Sequence, residues 1–139
     1  MGNRAVITFD KQVGIYLHWN GGRDSVEGFL MYCKLRNFRN DDYGVARLCQ
    51  IISNYLGGDL SIGVGKYEKL DCDNFDNGVY IVENWEIKER LFFKGSEQKG
   101  DNIYEFLKEI DAEQPIEDRL FEGISKVAEI KKAIKELKN

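Results

Sequence analysis

The spacing of apolar residues changes three times along this chain, and the order of those changes confines the fold more than any other feature. Arg4 to Phe9 alternates, with Ala5, Ile7 and Phe9 on one side and Val6 and Thr8 on the other, the two-residue period of a strand. Val13 to Trp19 alternates again, Ile15, Leu17 and Trp19 against Tyr16 and His18, and Asp10-Lys11-Gln12 forms a tight turn that joins the two runs as a hairpin. The period then lengthens. After Asp24, a natural N-cap with Glu27 three residues on, Val26, Phe29, Leu30 and Cys33 recur at helical steps. Val45, Leu48, Cys49, Ile52 and Leu56 make a second stripe, entered at Asp41 or Asp42 and closed by Gly57-Gly58.

Strand character returns at Leu60–Tyr67, Val79–Val82 and Trp85–Phe93. Gly63 and Gly65 predict a bulge or a close backbone approach in the first of these. Asp101 caps a third helix with the stripe Ile103, Phe106, Leu107 and Ile110, and Pro115 breaks it. Glu117 to Leu137 reads as a fourth helix, with Leu120, Ile124, Val127, Ile130, Ile134 and Leu137 on one face and Lys131, Lys132, Lys135 and Lys138 toward its C-terminus. The expectation is an α+β fold: an antiparallel sheet of about five strands, most simply a meander, packed with three to four helices and ending in a helical tail. At 139 residues the chain fits a single domain, 1–139, with a shift near Gly95 between an α/β core (1–95) and a helical C-terminal segment (96–139).

Charge and cysteine content narrow the function classes. A net charge of −4 argues mildly against a non-specific nucleic-acid binder, which needs a basic face to displace counterions, so direct nucleic-acid binding is disfavoured. Cys33, Cys49 and Cys72 are odd in number, widely spaced and without a CxxC pair, which reads as reduced thiols in a cytoplasm. No apolar run is long enough for a membrane span, and no basic segment precedes an apolar one as in a signal peptide. Val6 stands where a myristoylation motif wants Ser or Thr.

Four segments could carry function. His18-Trp19-Asn20-Gly21-Gly22-Arg23 runs from a strand end through a glycine turn to a helix start. Unpaired N–H groups at a helix start attract anions, so His18, Asn20, Gly21, Gly22 and Arg23 form a candidate anion or nucleotide turn; the plainer reading is a connection whose glycines satisfy geometry. His18, the one histidine, could serve as a general base only with a nucleophile and an orienting group beside it, for which Ser25 and Asp24 are the nearby candidates. Asp71, Asp73 and Asp76 crowd one loop, but Phe75 falls at the fifth ligand position of a calcium loop, so the plainer reading is a hairpin connection turned by Asn77-Gly78. Trp85 and Phe92 belong to an aromatic strand region that either fills the core or forms a contact surface. The C-terminal stripe either folds back on the sheet or pairs with a second copy to give a homodimer. No cofactor and no metal site is expected.

Met1-Gly2-Asn3-Arg4 followed by Ile15-Tyr16-Leu17-His18-Trp19-Asn20-Gly21 resembles small phage and prophage proteins of Gram-positive bacteria, which open M-G-[NT]-R and continue with I-Y-x-H-W-[ND]-G. The resemblance extends through Tyr43-Gly44-Val45-Ala46-Arg47 and Asp71-Cys72-Asp73-Asn74 to Asn77-Gly78-Val79-Tyr80, about two thirds of the chain, and stops before Pro115. It implies a mobile-element protein acting in a bacterial cytoplasm, and it carries no catalytic role. The expectation drawn from it is a non-enzymatic binding protein that blocks a host factor, such as a nucleic-acid-handling defence component of a CRISPR system, through Asp71, Asp73, Asp76, Trp85 and Phe92. A small-ligand binder using Asn20–Arg23 is the alternative, and a hydrolase or nuclease built on His18 the third reading.

Overall fold

The first hairpin sets the centre of the sheet. Asp10 Oδ1 accepts hydrogen bonds from the Gln12 and Val13 N–H groups, and Lys11 takes a left-handed conformation between them. This turns β1 (Ala5–Thr8) back on β2 (Val13–Leu17), with Ala5 opposite Leu17 and Thr8 opposite Gly14. The computed structural model describes residues 2–97, 102–121 and 124–137. Among them, α1 (Arg23–Leu35) and α2 (Asp42–Tyr55) follow the hairpin, then β3 (Ile62–Lys66), β4 (Val79–Glu83), β5 (Glu86–Leu91), α3 (Ile103–Ala112) and α4 (Ile124–Leu137). The architecture is α+β, five strands in the order β3-β2-β1-β4-β5 with four helices.

One pairing departs from an antiparallel meander. β4 lies parallel to β1, with Val6 opposite Val79 and Thr8 opposite Ile81, so the sheet is mixed. Because β3 lies on the far side of β2, the chain from Tyr67 to Gly78 must cross the sheet to reach β4. It is a crossover, not the hairpin connection that Asn77-Gly78 suggests.

The two sheet faces are closed differently. Ala5, Ile7, Ile15, Leu17, Tyr80 and Val82 join Val26, Phe29, Leu30, Cys33, Leu48, Ile52, Leu107, Ile110, Ile130 and Ile134 in one apolar core. Val6, Thr8 and Val79 point the opposite way and are fully buried without belonging to that core. Leu70 of the crossover lies on this face beside Gly14 and Val6. A Cβ on Gly14 would lie 2.6 Å from a Leu70 methyl and 3.3 Å from Val6, so glycine at that position lets Leu70 lie against the strand.

Local details correct several expectations. α1 starts at Arg23, with Gly22 at the N-cap, because Asp24 already sits inside the first turn and accepts the Ser25 N–H. Asp41 does cap α2, accepting from the Gly44 N–H at 3.2 Å. Gly63 and Gly65 produce no bulge: β3 pairs with β2 in unbroken register, and the irregularity falls between Ile81 and Val82 on β4. Trp85 is not a strand residue. Asn84 and Trp85 both have positive φ, 53° and 64°, and form the two-residue turn between β4 and β5. The fourth helix begins at Ile124, after a 3-10 turn at Ile116–Asp118. Its Ile130 and Ile134 are buried in this chain's own core. Asp101, the expected cap of α3, and Lys138 lie outside the described residues.

Candidate functional site

The glycine turn is held by the sheet. Gly21 N–H donates to the Asn3 carbonyl at 2.8 Å, and a Cβ there would stand 2.4 Å from that oxygen. Tyr80 donates its hydroxyl to the Gly21 carbonyl at 2.7 Å. Asn20 donates to Ser25 Oγ at 3.3 Å, and the Gly22 carbonyl accepts from Val26. Arg23 donates to Glu27 at 2.6 Å and pairs also with Glu97. Glu97 pairs in turn with Arg90, whose guanidinium lies 3.9 Å from the ring centres of both Tyr80 and Phe93. The charge that an anion would seek on Arg23 is thus met by two carboxylates of this chain.

His18 faces elsewhere. Its Nδ1 shares a 3.0 Å hydrogen bond with the Tyr16 hydroxyl, and Trp19 stands edge-on to its ring at 4.9 Å. No hydrogen bond joins His18 to Asp24 or Ser25 among the described residues. The proposed base, nucleophile and orienting group are not brought together.

The crossover draws the acidic loop toward this same face. Asn74, 1% exposed, organises it: its side chain donates to the Asp71 and Gly78 carbonyls and accepts from the Asp76 and Gly78 N–H groups. Arg4 donates to Asp76 at 2.8 Å and stands 3.7 Å from Asp71. These bonds hold the Asp76 carboxyl below its usual range, with the Arg4 and His18 charges adding to the effect. Burial pushes the Tyr16 phenol up; Arg4 opposes that shift, and Asp71 and Asp76 reinforce it. Asp73 is exposed with no polar partner among the described residues.

Sequence reasoning treated His18 and the acidic loop as separate features; the fold makes them neighbours through Tyr16 and Arg4. It missed the exposed apolar residues around them. Leu60 is 97% exposed, Phe75 85% and Trp19 41%. Trp19 and Leu60 line one groove of about 440 Å³ with Tyr16 and His18. Alternation groups Trp19 with Ile15 and Leu17, which are buried, but the strand ends at Leu17, so the period no longer governs Trp19. Of the aromatic candidates, Phe92 is half exposed with positive φ, and Trp85 is 7% exposed, its ring edge-on to Phe9 at 5.5 Å and its N–H donated to the Phe38 carbonyl.

A larger cleft of about 700 Å³ opens on the helical side of the sheet, between the β1–β2 turn, the start of α2 and the β4–β5 turn. Phe9, Val13, Val45, Cys49 and Val64 line it, and Asp10, Asp41, Asp42 and Glu83 stand among its walls. Asp41 is occupied by the Gly44 N–H and by Arg39 at 2.6 Å. Although burial opposes it, these partners hold the Asp41 carboxyl below its usual range. Asp42 and Glu83 form no ion pair among the described residues. No helix of the described residues is long and apolar enough to cross a membrane. Comparison of the chain with models of protein families, with curated proteins and with solved structures finds no match.

Proposed function

We propose that this chain is a non-enzymatic binding protein of phage or mobile-element origin that works in a bacterial cytoplasm by occluding a host protein, a nucleic-acid-handling component of an antiviral system such as a CRISPR effector. The observation that carries the reading is the conjunction of exposed apolar residues with exposed acids on one side of the molecule. Trp19 and Leu60 share a groove with Tyr16 and His18, and Phe75 lies in the same crossover as Asp71 and Asp73. Large aromatics in a polar setting supply most of the energy of protein interfaces, and acids add steering toward a basic partner. Proteins that handle nucleic acid carry such basic surfaces. The groups that chemistry would need are engaged within the chain: Arg23 by Glu27 and Glu97, Asp76 by Arg4, His18 by Tyr16.

The test is affinity capture from lysate of a Gram-positive host. Wild-type protein should retain one host protein, identified by mass spectrometry, and a Trp19→Ala/Leu60→Ala/Phe75→Ala variant should lose it. Asp71→Lys/Asp73→Lys should weaken capture and reduce its salt dependence; Asp76 is left intact because it holds Arg4. Equal capture by the variants, or retention of only a small anion in native mass spectrometry, would overturn the reading.

A further inference from the structure

The two edges of the sheet are built differently. β5 carries Glu86, Lys88, Glu89 and Arg90 along its six residues, the usual charged protection of an exposed edge. β3 reads Ile-Gly-Val-Gly-Lys, with one charge, no proline and no bulge. Its hydrogen-bonding phase follows from two bonds that flank it. His18 N–H donates to the Ser61 carbonyl at 3.0 Å, and Tyr67 N–H donates to the Gln12 carbonyl at 2.8 Å. In an antiparallel ladder bonded residues alternate, so Ser61, Gly63, Gly65 and Tyr67 face β2. The N–H and C=O groups of Ile62, Val64 and Lys66 therefore point away from the sheet. Among the described residues nothing pairs with them.

Two of the concavities among the described residues flank this edge. Val64 lines the 700 Å³ cleft on the helical side, and Ile62 and Gly63 line the 440 Å³ groove on the other. The cleft falls within the range of about 300–1,000 Å³ typical of ligand pockets. Val64, 61% exposed, leaves its floor uncovered, and Gly63 and Gly65 place no side chain in the way of an approaching backbone.

We propose that the free edge of β3 is a docking site for an extended peptide segment of a partner protein, which adds a sixth strand and carries Lys or Arg beside an apolar centre. The inference rests on the reading of the chain as a binding protein and names the chemistry of what it binds. The apolar side chains of the added strand would cover Val64 and Val13, and its cations would meet Asp42, Glu83 and Asp10 at the cleft walls. Main-chain bonds give such a strand its affinity, and alternate side chains give it selectivity. Charge complementarity favours this occupant over a second copy of the chain. Self-pairing would bring together two chains of net charge −4 and two acid-walled clefts.

The probe is a synthetic heptapeptide with a valine-rich centre and lysines at both ends, titrated into the full-length ¹⁵N-labelled protein. The Ile62, Val64 and Lys66 amides should shift and gain protection from hydrogen exchange. A glutamate-flanked peptide should bind at least tenfold more weakly, and a peptide N-methylated at alternate residues should not bind. Val64→Pro removes an outward N–H without touching the bonds to β2 and should abolish binding. Val64→Lys tests the same edge should the proline variant fail to fold. Binding that is indifferent to N-methylation and to both substitutions overturns the proposal. So do failure of the lysine-flanked peptide to bind and concentration-dependent protection of the same three amides without peptide, the latter assigning the edge to a second copy. Host-protein capture separates the two readings: retention by Val64→Lys with no peptide binding leaves the occlusion reading standing alone.

Discussion

Replacing Trp85 sets two physical effects against each other. The ring is 7% exposed, stands edge-on to Phe9 with centroids 5.5 Å apart, and donates its N–H to the Phe38 carbonyl at 3.2 Å. Truncating a buried tryptophan to alanine costs about 3–5 kcal/mol, including the cavity left behind. The backbone pulls the other way. At φ 64° a residue with a Cβ pays about 1–2 kcal/mol, which alanine retains and glycine does not. Glycine loses about 0.5–1 kcal/mol through the greater freedom of its unfolded chain. Packing is the larger effect, so both variants should be less stable than wild type. Trp85→Gly should nevertheless be the milder by about 0.5–1 kcal/mol, the reverse of the order in a strand interior. Urea unfolding followed by far-UV circular dichroism measures this: at a slope of about 2 kcal/mol/M, Trp85→Ala should lower the midpoint by about 2 M. A loss below about 1 kcal/mol in Trp85→Ala would refute the core assignment and return Trp85 to the contact surface. Trp85→Gly proving the worse variant would refute the turn argument.

Three further outcomes follow from the same geometry. Asp111, 3% exposed, accepts from the Tyr32 hydroxyl at 2.5 Å and from the Leu120 and Phe121 N–H groups at 2.7 and 3.0 Å. Asp111→Ala should cost about 2–4 kcal/mol in urea unfolding, since it strands several donors, and a loss under about 0.5 kcal/mol would contradict the network. Asp76 and Asp41 are both held below the ordinary carboxylate range, so their stabilisation is complete above an unfolded value near 3.9 and is lost as pH falls through the lower folded values. Arg4→Met should flatten part of that acid limb, and a limb as steep as wild type would remove the Arg4–Asp76 pair from the account. Thiol titration should count three cysteines in denatured protein, while native Cys33, fully buried with its thiol pushed up by burial, labels far more slowly than half-buried Cys72; a persistent disulfide would contradict the reduced state.

What could be read from the chain beforehand was whatever depends on neighbours in sequence. The β1–β2 hairpin follows from two alternating runs and an aspartate turn, and the buried faces of α1 and α2 follow from Phe29, Leu48 and Ile52 at helical steps. The parallel placement of β4 beside β1 could not be read, because Val6 and Val79 carry no local sign that they pair. Local sequence therefore points to a hairpin loop at the crossover and gives no link between its acids and His18. Aromatic content signals strand and so points Trp85 into one, whereas a left-handed turn is ordinarily signalled by glycine. Asp111 and Gln114 gave no warning either. Each is a single polar residue near the end of an amphipathic helix, and only the fold shows Gln114 bonded to Asn54 and to the Ile51 and Ile110 carbonyls. Exposure of Leu60 and Phe75 lies beyond periodicity altogether, since both occupy connections.

The central position of β1 has a consequence for how this protein is made. The ribosome delivers β1 and β2 before β4, and the second side of β1 stays open until β4 has been synthesised, 70 residues lying between Thr8 and Val79. At translation speeds of about 5–20 residues per second that interval is roughly 4–14 seconds. Throughout it the nascent hairpin presents the β4 side of β1, from Val6 to Thr8, as an unpaired edge, the kind of template on which aggregation starts. The helices can shelter one face during the wait, but not the edge. Slowing elongation between α2 and β4 should therefore lower the yield of folded protein, whereas a pause placed after β5 should not.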